Sequence, residues 1–277
     1  GFQGVLPNGD VATLGRGGSD ATAVALAGAM HADMCEIFTD VDGVYSADPR
    51  YCPEAIKMQE ITNIEMLELA RLGAGVMQPR SVELGLQYHI PIHVRSTFTN
   101  EEGTIIREES TLEGNNCIIK GVAQDTNTAR ISVLNVKNIP GIAYKVFQSL
   151  ADDNIDVDMI VQSVQTSNDN MTDIVFTINS ADLNDARKSL EKLKTEGLIP
   201  EVVYDDDTAK ISVVGAGMLG TPGIAARMFG ALGSVGINIL IVSTSEISVS
   251  CLIKREDVNK AVQAIHREFF EKSEING

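Results

Sequence analysis

Ile131-Ser-Val-Leu134, Asn138-Ile-Pro-Gly-Ile-Ala-Tyr-Lys-Val-Phe-Gln-Ser-Leu150 and Ile155-Asp-Val-Asp-Met-Ile-Val161 form one half of a repeat that decides how the chain folds. The other half is Ile211-Ser-Val-Val214, Thr221-Pro-Gly-Ile-Ala-Ala-Arg-Met-Phe-Gly-Ala-Leu232 and Ile237-Asn-Ile-Leu-Ile-Val242. The offset is 80 residues at the first strand and 82 from the Pro-Gly onward. The second copy therefore carries two extra residues in its first loop, Gly215–Gly220. Self-similarity of this kind marks a repeated supersecondary unit. Each copy reads strand, helix, strand, strand, helix. In the first, Thr172–Ile178 is the third strand, 182–194 the second helix and Glu201–Tyr204 a fourth strand. In the second, Ser248–Lys254 is the third strand and 256–270 the second helix, with no fourth strand after it. Cys117–Ala123, just before the first copy, is a spare strand. We expect it to complete the second copy's sheet, so that neither copy stands alone.

The 277 residues, 44% of them hydrophobic, suffice for one large domain or two to three small ones. Apolar runs stay short of the roughly 18 residues that a membrane helix needs, and no secretory signal pattern is visible. The net charge of −16 argues against nucleic acid and anionic membrane as partners. Trp is absent and aromatics are 5%, which disfavours a stacking platform for single strands. Cys35, Cys52, Cys117 and Cys251 are too scattered for a zinc cluster or a disulfide framework. They read as reduced, buried thiols of a cytoplasmic protein. His89 and His93 would share one face of a strand, yet no third metal ligand lies near them.

The first segment has α/β character. The chain opens on Gly, without Met, and Pro7-Asn-Gly-Asp10 reads as a hairpin turn, so we expect the chain to begin inside a domain. Gly15-Arg-Gly-Gly-Ser-Asp20 leads into an Ala-rich helix, with Ser19 or Asp20 as N-cap. A glycine loop at a helix start, beside Arg16, suits a carboxylate or phosphate; a plain turn and cap fit the local spacing equally well. Cys35–Val41 is a strand, and Thr39 and Asp40 lie at its carboxyl end, where open α/β sheets hold ligands. Tyr45 could lie against a base and Arg50 reach a phosphate, although Asp48-Pro-Arg50 alone is an ordinary turn. Helices are expected over 64–72 and from Pro79, and a strand over 90–96. The Glu-, Gly- and Asn-rich stretch 101–116 reads as a boundary.

Three motifs in this order carry a resemblance: 15–20, Phe38-Thr-Asp-Val-Asp-Gly-Val-Tyr-Ser-Ala-Asp-Pro-Arg50 and Gly73-Ala-Gly-Val-Met-Gln-Pro-Arg-Ser-Val-Glu83. They resemble aspartate kinase, and the βαββαβ repeat resembles its paired ACT domains, which sense amino acids. The resemblance implies a partial amino-acid-kinase domain (an α/β sandwich) over 1–112, then tandem ferredoxin-like ACT domains of α+β type. The first ACT domain would be 128–206, and the second 113–127 with 207–277, completed by strand 117–123. The implied reaction converts ATP and L-aspartate to 4-phospho-L-aspartate, with Mg²⁺ carried by the nucleotide, as a first step toward lysine, threonine and methionine. Arg16, Ser19 and Asp20 would hold aspartate; Thr39, Asp40, Tyr45 and Arg50 would hold the nucleotide. Feedback by lysine, threonine or both would act at Asn138, Gly141, Ala143 and Gln162 with Asn238 and Ile239. A second effector pocket would use Gly223, Ile224, Asp156 and Asp158, with Thr172 and Ser243–Ser245 near the two pockets.

Three features depart from the family pattern. The Lys-Phe-Gly-Gly-Thr-Ser start is absent, Gly75 stands where many members have lysine, and Asn138 where many have aspartate. Phosphoryl transfer needs positioned positive charge, so we expect this chain alone to be inactive. The resemblance also implies a homo-oligomer paired through ACT sheets. A non-catalytic amino-acid-sensing subunit is the alternative, and another amino-acid kinase a weaker one, disfavoured by the ACT pair.

Overall fold

The computed structural model describes residues 1–109, 118–163 and 170–271. The repeat builds the larger part of the fold. β7 (Gly121–Lys137) and β10 (Glu201–Val214) are long antiparallel strands, and each runs through both copies. Around them lie α4 (Ile142–Asp152), β8 (Val157–Gln162), β9 (Met171–Asn179) and α5 (Leu183–Thr195) from the first copy. The second copy adds α6 (Ile224–Ser234), β11 (Ile241–Thr244), β12 (Ser248–Lys254) and α7 (Val258–His266). The strands form one six-stranded sheet in the order β11-β12-β10-β7-β9-β8.

The register shows how the copies are joined. Glu201–Asp205 pairs with Arg130–Leu134, and Lys210–Val214 pairs with Gly121–Asp125. The spare strand thus lies against the second copy's first strand, starting at Gly121; Cys117 lies outside the described residues. What the sequence reads as separate strands, the spare strand (from Gly121 on) with 131–134 and 201–204 with 211–214, are two continuous ones. Register shifts around Thr208 interrupt the ladder where the copies meet. Bulges of this kind bend strands, and the sheet curls until its edges β8 and β11 touch.

Alternation sorts the side chains into layers. Ile131, Val133, Ile174, Phe176 and Ile178 point at α4 and α5 and form the first copy's core with Val146 and Leu190. Ala209, Ile211 and Val213 point at α6 and α7 and join Met228, Leu232, Val262 and Ile265. On the opposite face, Met159, Ile241 and Leu252 pack where the edges meet. Ser212 and Ser250 hydrogen-bond there at 2.7 Å, and buried Lys210 reaches across to Asp158.

The first segment supplies a two-stranded hairpin, β1 (Gln3–Val5) with β2 (Val11–Thr13), then α1 (Gly18–Ala29) and β3 (Cys35–Thr39). β4 (Glu60–Thr62), α2 (Asn63–Arg71), α3 (Pro79–Tyr88), β5 (Ile92–Ser96) and β6 (Thr104–Arg107) follow. The sheet order is β3-β5-β6-β4. The stretch read as a boundary thus contains β6, a strand between β5 and β4; β4 has no sequence signal of its own. A second correction concerns His89. It is the left-handed C-cap of α3 (φ 57°), not a strand residue, so it shares no strand face with His93. His89 meets Glu108, and His93 lies 3.5 Å from Glu36.

α2 seats this segment on the repeat. Thr62 and Glu65 form a capping box at its start, which satisfies backbone donors that a helix N-terminus leaves open. Buried Glu65 also accepts the Ala216 N–H at 3.0 Å. Glu68 accepts from Ser248 at 2.7 Å and Ser245 at 3.3 Å. Ala123 and Val214 of the repeat lie in the same apolar core as Met66, Leu69 and Val82.

Phe176 is fully buried and meets Phe147 edge to face at 5.3 Å. Phe176→Ala is expected to cost about 3–5 kcal/mol in urea unfolding. Tyr144→Ala, on the exposed face of α4, should stay within about 0.5 kcal/mol.

Candidate functional site

Two glycine loops of the first segment and the bulged middle of β7 enclose a cleft of about 340 Å³. Arg16, Arg50, Tyr51, Gly73, Gly75 and Gln78 are among the residues on one side. Gln124–Asn127 and Asn179 form the other.

The loop before α1 is shaped by Gly15 and Gly17, at φ 76° and 71°. Gly17 itself is the N-cap, with no side-chain cap bond. Ser19 and Asp20 lie inside the first turn, contrary to the capping expectation. A Cβ on Gly17 would lie 2.1 Å from Gln78 Cγ, so the loop rests directly on the start of α3. Arg80 Nη2 donates to the Leu14 carbonyl at 2.8 Å and ties the two together. Pro79 opens α3, whose dipole favours an anion nearby.

Arg50 comes from the loop after β3. Its Nε and Nη2 donate to Asp48 at 3.1 and 2.7 Å, while Gln124 Nε2 donates to the same carboxylate at 3.2 Å. Burial pushes the Asp48 carboxyl up, but the bonds from Arg50 and Gln124 outweigh it and hold the group below the usual carboxylate range. Gly73, at φ 113°, closes the corner: a Cβ there would lie 2.2 Å from the Gln124 carbonyl oxygen. Gly75 faces open space. The cations among the lining residues are Arg16 and Arg50, opposed by Asp125. Such a cleft suits an anionic, hydrogen-bonding ligand.

The other nominated residues lie outside the cleft lining. Ser19, exposed in the first turn of α1, donates to Asp20 at 3.3 Å. Thr39 donates to Asp40 at 3.1 Å at the end of β3. The Tyr45 hydroxyl donates to Asp42 at 3.0 Å, and Lys57 pairs with the same carboxylate at 3.3 Å. Gln78 and the β7 residues Gln124, Asp125 and Asn127 escape sequence reasoning. Gln78 lies in a quoted motif, whereas nothing local marks the β7 wall. Among the described residues no group of three or more His, Cys, Asp and Glu could hold a metal ion.

The nominated effector residues gather at helix starts and strand ends. Gly141 and Gly223 are the left-handed caps of α4 and α6, at φ 90° and 96°. Asn138 donates its backbone N–H to Asn170 at 2.8 Å, at the end of the sheet where β8 finishes in Gln162. Ala143 follows in the first turn of α4, and buried Thr172 donates to the Ser163 carbonyl at 2.5 Å. Asn238 and Ile239 precede β11, and Asp156 precedes β8. Ile224 is buried in the second copy's core. Asp158 is already engaged by Lys210, a partner the sequence reading did not anticipate.

A family model for the amino acid kinase family matches residues 1–96, and an ACT domain model matches 130–193 and 211–269. The aspartokinase of Corynebacterium glutamicum is 46% identical over 273 residues, 97% of this chain and 64% of that protein. The chain thus spans less than two thirds of the length of that relative. Escherichia coli aspartokinase III, solved with aspartate and ADP, superposes with a TM-score of 0.81 at 28% identity, covering 98% of this chain and 60% of that one. Solved with lysine and aspartate, it gives 0.75 at 29%, covering 98% and 59%. The regulatory subunit of aspartate kinase from Thermus thermophilus gives 0.52 at 38% identity, covering 55% of this chain and 99% of that subunit.

The two glycines of the cleft separate conformation from space. Gly73→Ala combines a left-handed backbone with a clash and is expected to cost about 1–3 kcal/mol in chemical unfolding. Gly75→Ala should leave stability within about 0.5 kcal/mol.

Proposed function

Since the chain belongs to the aspartate kinase family, we propose that it is the ACT-regulated portion of an enzyme that phosphorylates L-aspartate with ATP. One observation carries this reading: Arg16 and Arg50, taken from separate motifs, line one cleft with the Gly73–Pro79 loop. Arg16 is assigned to an aspartate carboxylate, which its planar fork matches. Arg50, steadied by Asp48, is assigned to the nucleotide phosphates. Ser19 and Asp20 would hold the rest of the amino acid, and Thr39, Asp40 and Tyr45 the nucleoside side. In the reaction a β-carboxylate oxygen of aspartate bonds to the γ-phosphorus as the β–γ bridging bond breaks, and ADP leaves with the bond pair. Magnesium is assigned to the nucleotide's phosphates, since it commonly binds with few protein ligands. With Gly75 bringing no charge, catalysis is assigned jointly to this chain and to the share of its relatives' length that it does not span.

Regulation is assigned to the repeat. The Gly141 and Gly223 caps leave helix N–H groups free for an amino-acid carboxylate. With lysine, threonine or both as effector, inhibition requires tighter binding to one of two domain arrangements. Exposed Ile160 and Val161 on edge strand β8 support pairing with a second copy. No described helix is long and apolar enough to cross a membrane. Cys35, Cys52 and Cys251 are free and buried, in keeping with a cytoplasmic setting.

Hydroxylamine trapping of aspartyl phosphate tests the reading. The product of the complete reading frame should form aspartyl hydroxamate from ATP and aspartate, and this chain alone should not. Arg16→Ala in the complete product should raise the KM for aspartate more than tenfold. Lysine or threonine at 100 times its Kd should stabilise the protein by about 2.7 kcal/mol. Amino-acid binding without any hydroxamate from the complete product would instead favour a non-catalytic sensor.

A further inference from the structure

The loop between β3 and β4 is built into the second ACT-type unit. Ala47 and Cys52, 3% and 1% exposed, belong to the same core as Ile211, Met228 and Ile265. The Ser46 carbonyl accepts from Val122 N–H at 2.7 Å. Gln263 on α7 donates to the Tyr51 carbonyl at 2.9 Å. At the centre, Ser46 Oγ lies 2.9 Å from His266 Nε2, both residues being buried.

Hydrogen-bond capacity makes this contact informative. Ser46 Oγ already accepts the Ile56 N–H at 2.8 Å, which closes the loop on itself. Its own proton is free for His266. The His266 ring stacks on Phe270 with centroids 4.6 Å apart. Its Nδ1 is buried without a partner. Burial disfavours the charged ring, against the opposing pull of Glu271 and Glu54. An apolar side chain would fill this position without leaving an orphaned nitrogen. The cost of burying an imidazole is offset by the one polar bond it makes, to Ser46.

We propose that His266 is a positioning residue: through Ser46 it sets the loop carrying Tyr45, Asp48 and Arg50, and so governs nucleotide binding from the last helix of the regulatory repeat. This rests on the reading of that loop as the nucleotide segment. The contact also gives the second ACT-type unit a direct handle on the nucleotide side, separate from the Glu65 and Glu68 bonds that hold α2.

His266→Phe keeps the ring stack and removes the bond; His266→Gln keeps an acceptor, its Oε1, near the Nε2 position; Ser46→Ala removes the bond from the other side, together with the Ile56 N–H bond. In the product of the complete reading frame, His266→Phe should raise the KM for ATP about five- to tenfold, the worth of one hydrogen bond, and Ser46→Ala, which also loses the Ile56 N–H bond, at least as much. The KM for aspartate should stay within about twofold, the Gln variant should recover most of the loss, and the double variant should be no worse than Ser46→Ala alone. In this chain, deuterium uptake over 44–56 should rise in His266→Phe while β9 stays protected. An unchanged KM for ATP, or equal rises for both substrates, would overturn the proposal, as would additive single effects. If the unmodified complete product phosphorylates no aspartate, the functional reading fails and the nucleotide role with it. The exchange experiment then still decides whether His266 holds the loop, because unchanged uptake would remove the positioning role altogether.

Discussion

The antiparallel ladder between β7 and β10 is the constraint on which the rest depends. Each strand begins in one copy of the repeat and ends in the other, so the backbone hydrogen bonds of both copies belong to one continuous set. Edge exposure is the alternative. A second copy without its borrowed strand would present the unpaired backbone of Lys210–Val214 to water, a liability in any sheet. Covering it with Gly121–Asp125 removes that edge and fixes the two copies relative to each other. The bulge around Thr208 then lets the sheet curl, which brings Lys210 to Asp158 and Met159 to Ile241 and Leu252.

The same strand carries the connection to the first segment. Val122 holds the Ser46 carbonyl, Gln124 meets Asp48 and presses against Gly73, and Asp125 to Asn127 face the cleft. One stretch of one strand, between Val122 and Asn127, therefore touches both the cleft and the loop beside it. α2 adds a second attachment, with Glu65 and Glu68 reaching the first loop and the β11–β12 turn of the second copy. A displacement in that copy has two physical routes to the cleft, one through backbone pairing and one through carboxylates. Neither route involves Arg16, whose loop is held from the α3 side by Arg80 and Gln78.

Much of this fold was legible because the repeat carries strong patterns. The Pro-Gly steps and alternating strands place α4, α6, β9 and β12 within a few residues. Short elements were not legible. β4 has three residues, and β6 hides in a stretch whose Glu, Gly and Asn content resembles a linker. His89 was misplaced because a left-handed cap by a non-glycine residue leaves little local signal. At the site, Arg16 and Arg50 were found through motifs. The β7 wall, His266 and Lys210 were not, since their roles arise from contacts between residues far apart in the chain.

Native-state hydrogen exchange in increasing urea tests the shared ladder most directly. If β7 and β10 bind both copies into one unit, amides at Val122 to Gln124, Ile131 to Val133 and Ile211 to Val213 should merge onto one opening free energy as denaturant rises. Amides of Ile131 to Val133 that open while those of Val122 to Gln124 remain protected, with separate free energies, would contradict it and show two beads joined by a passive link.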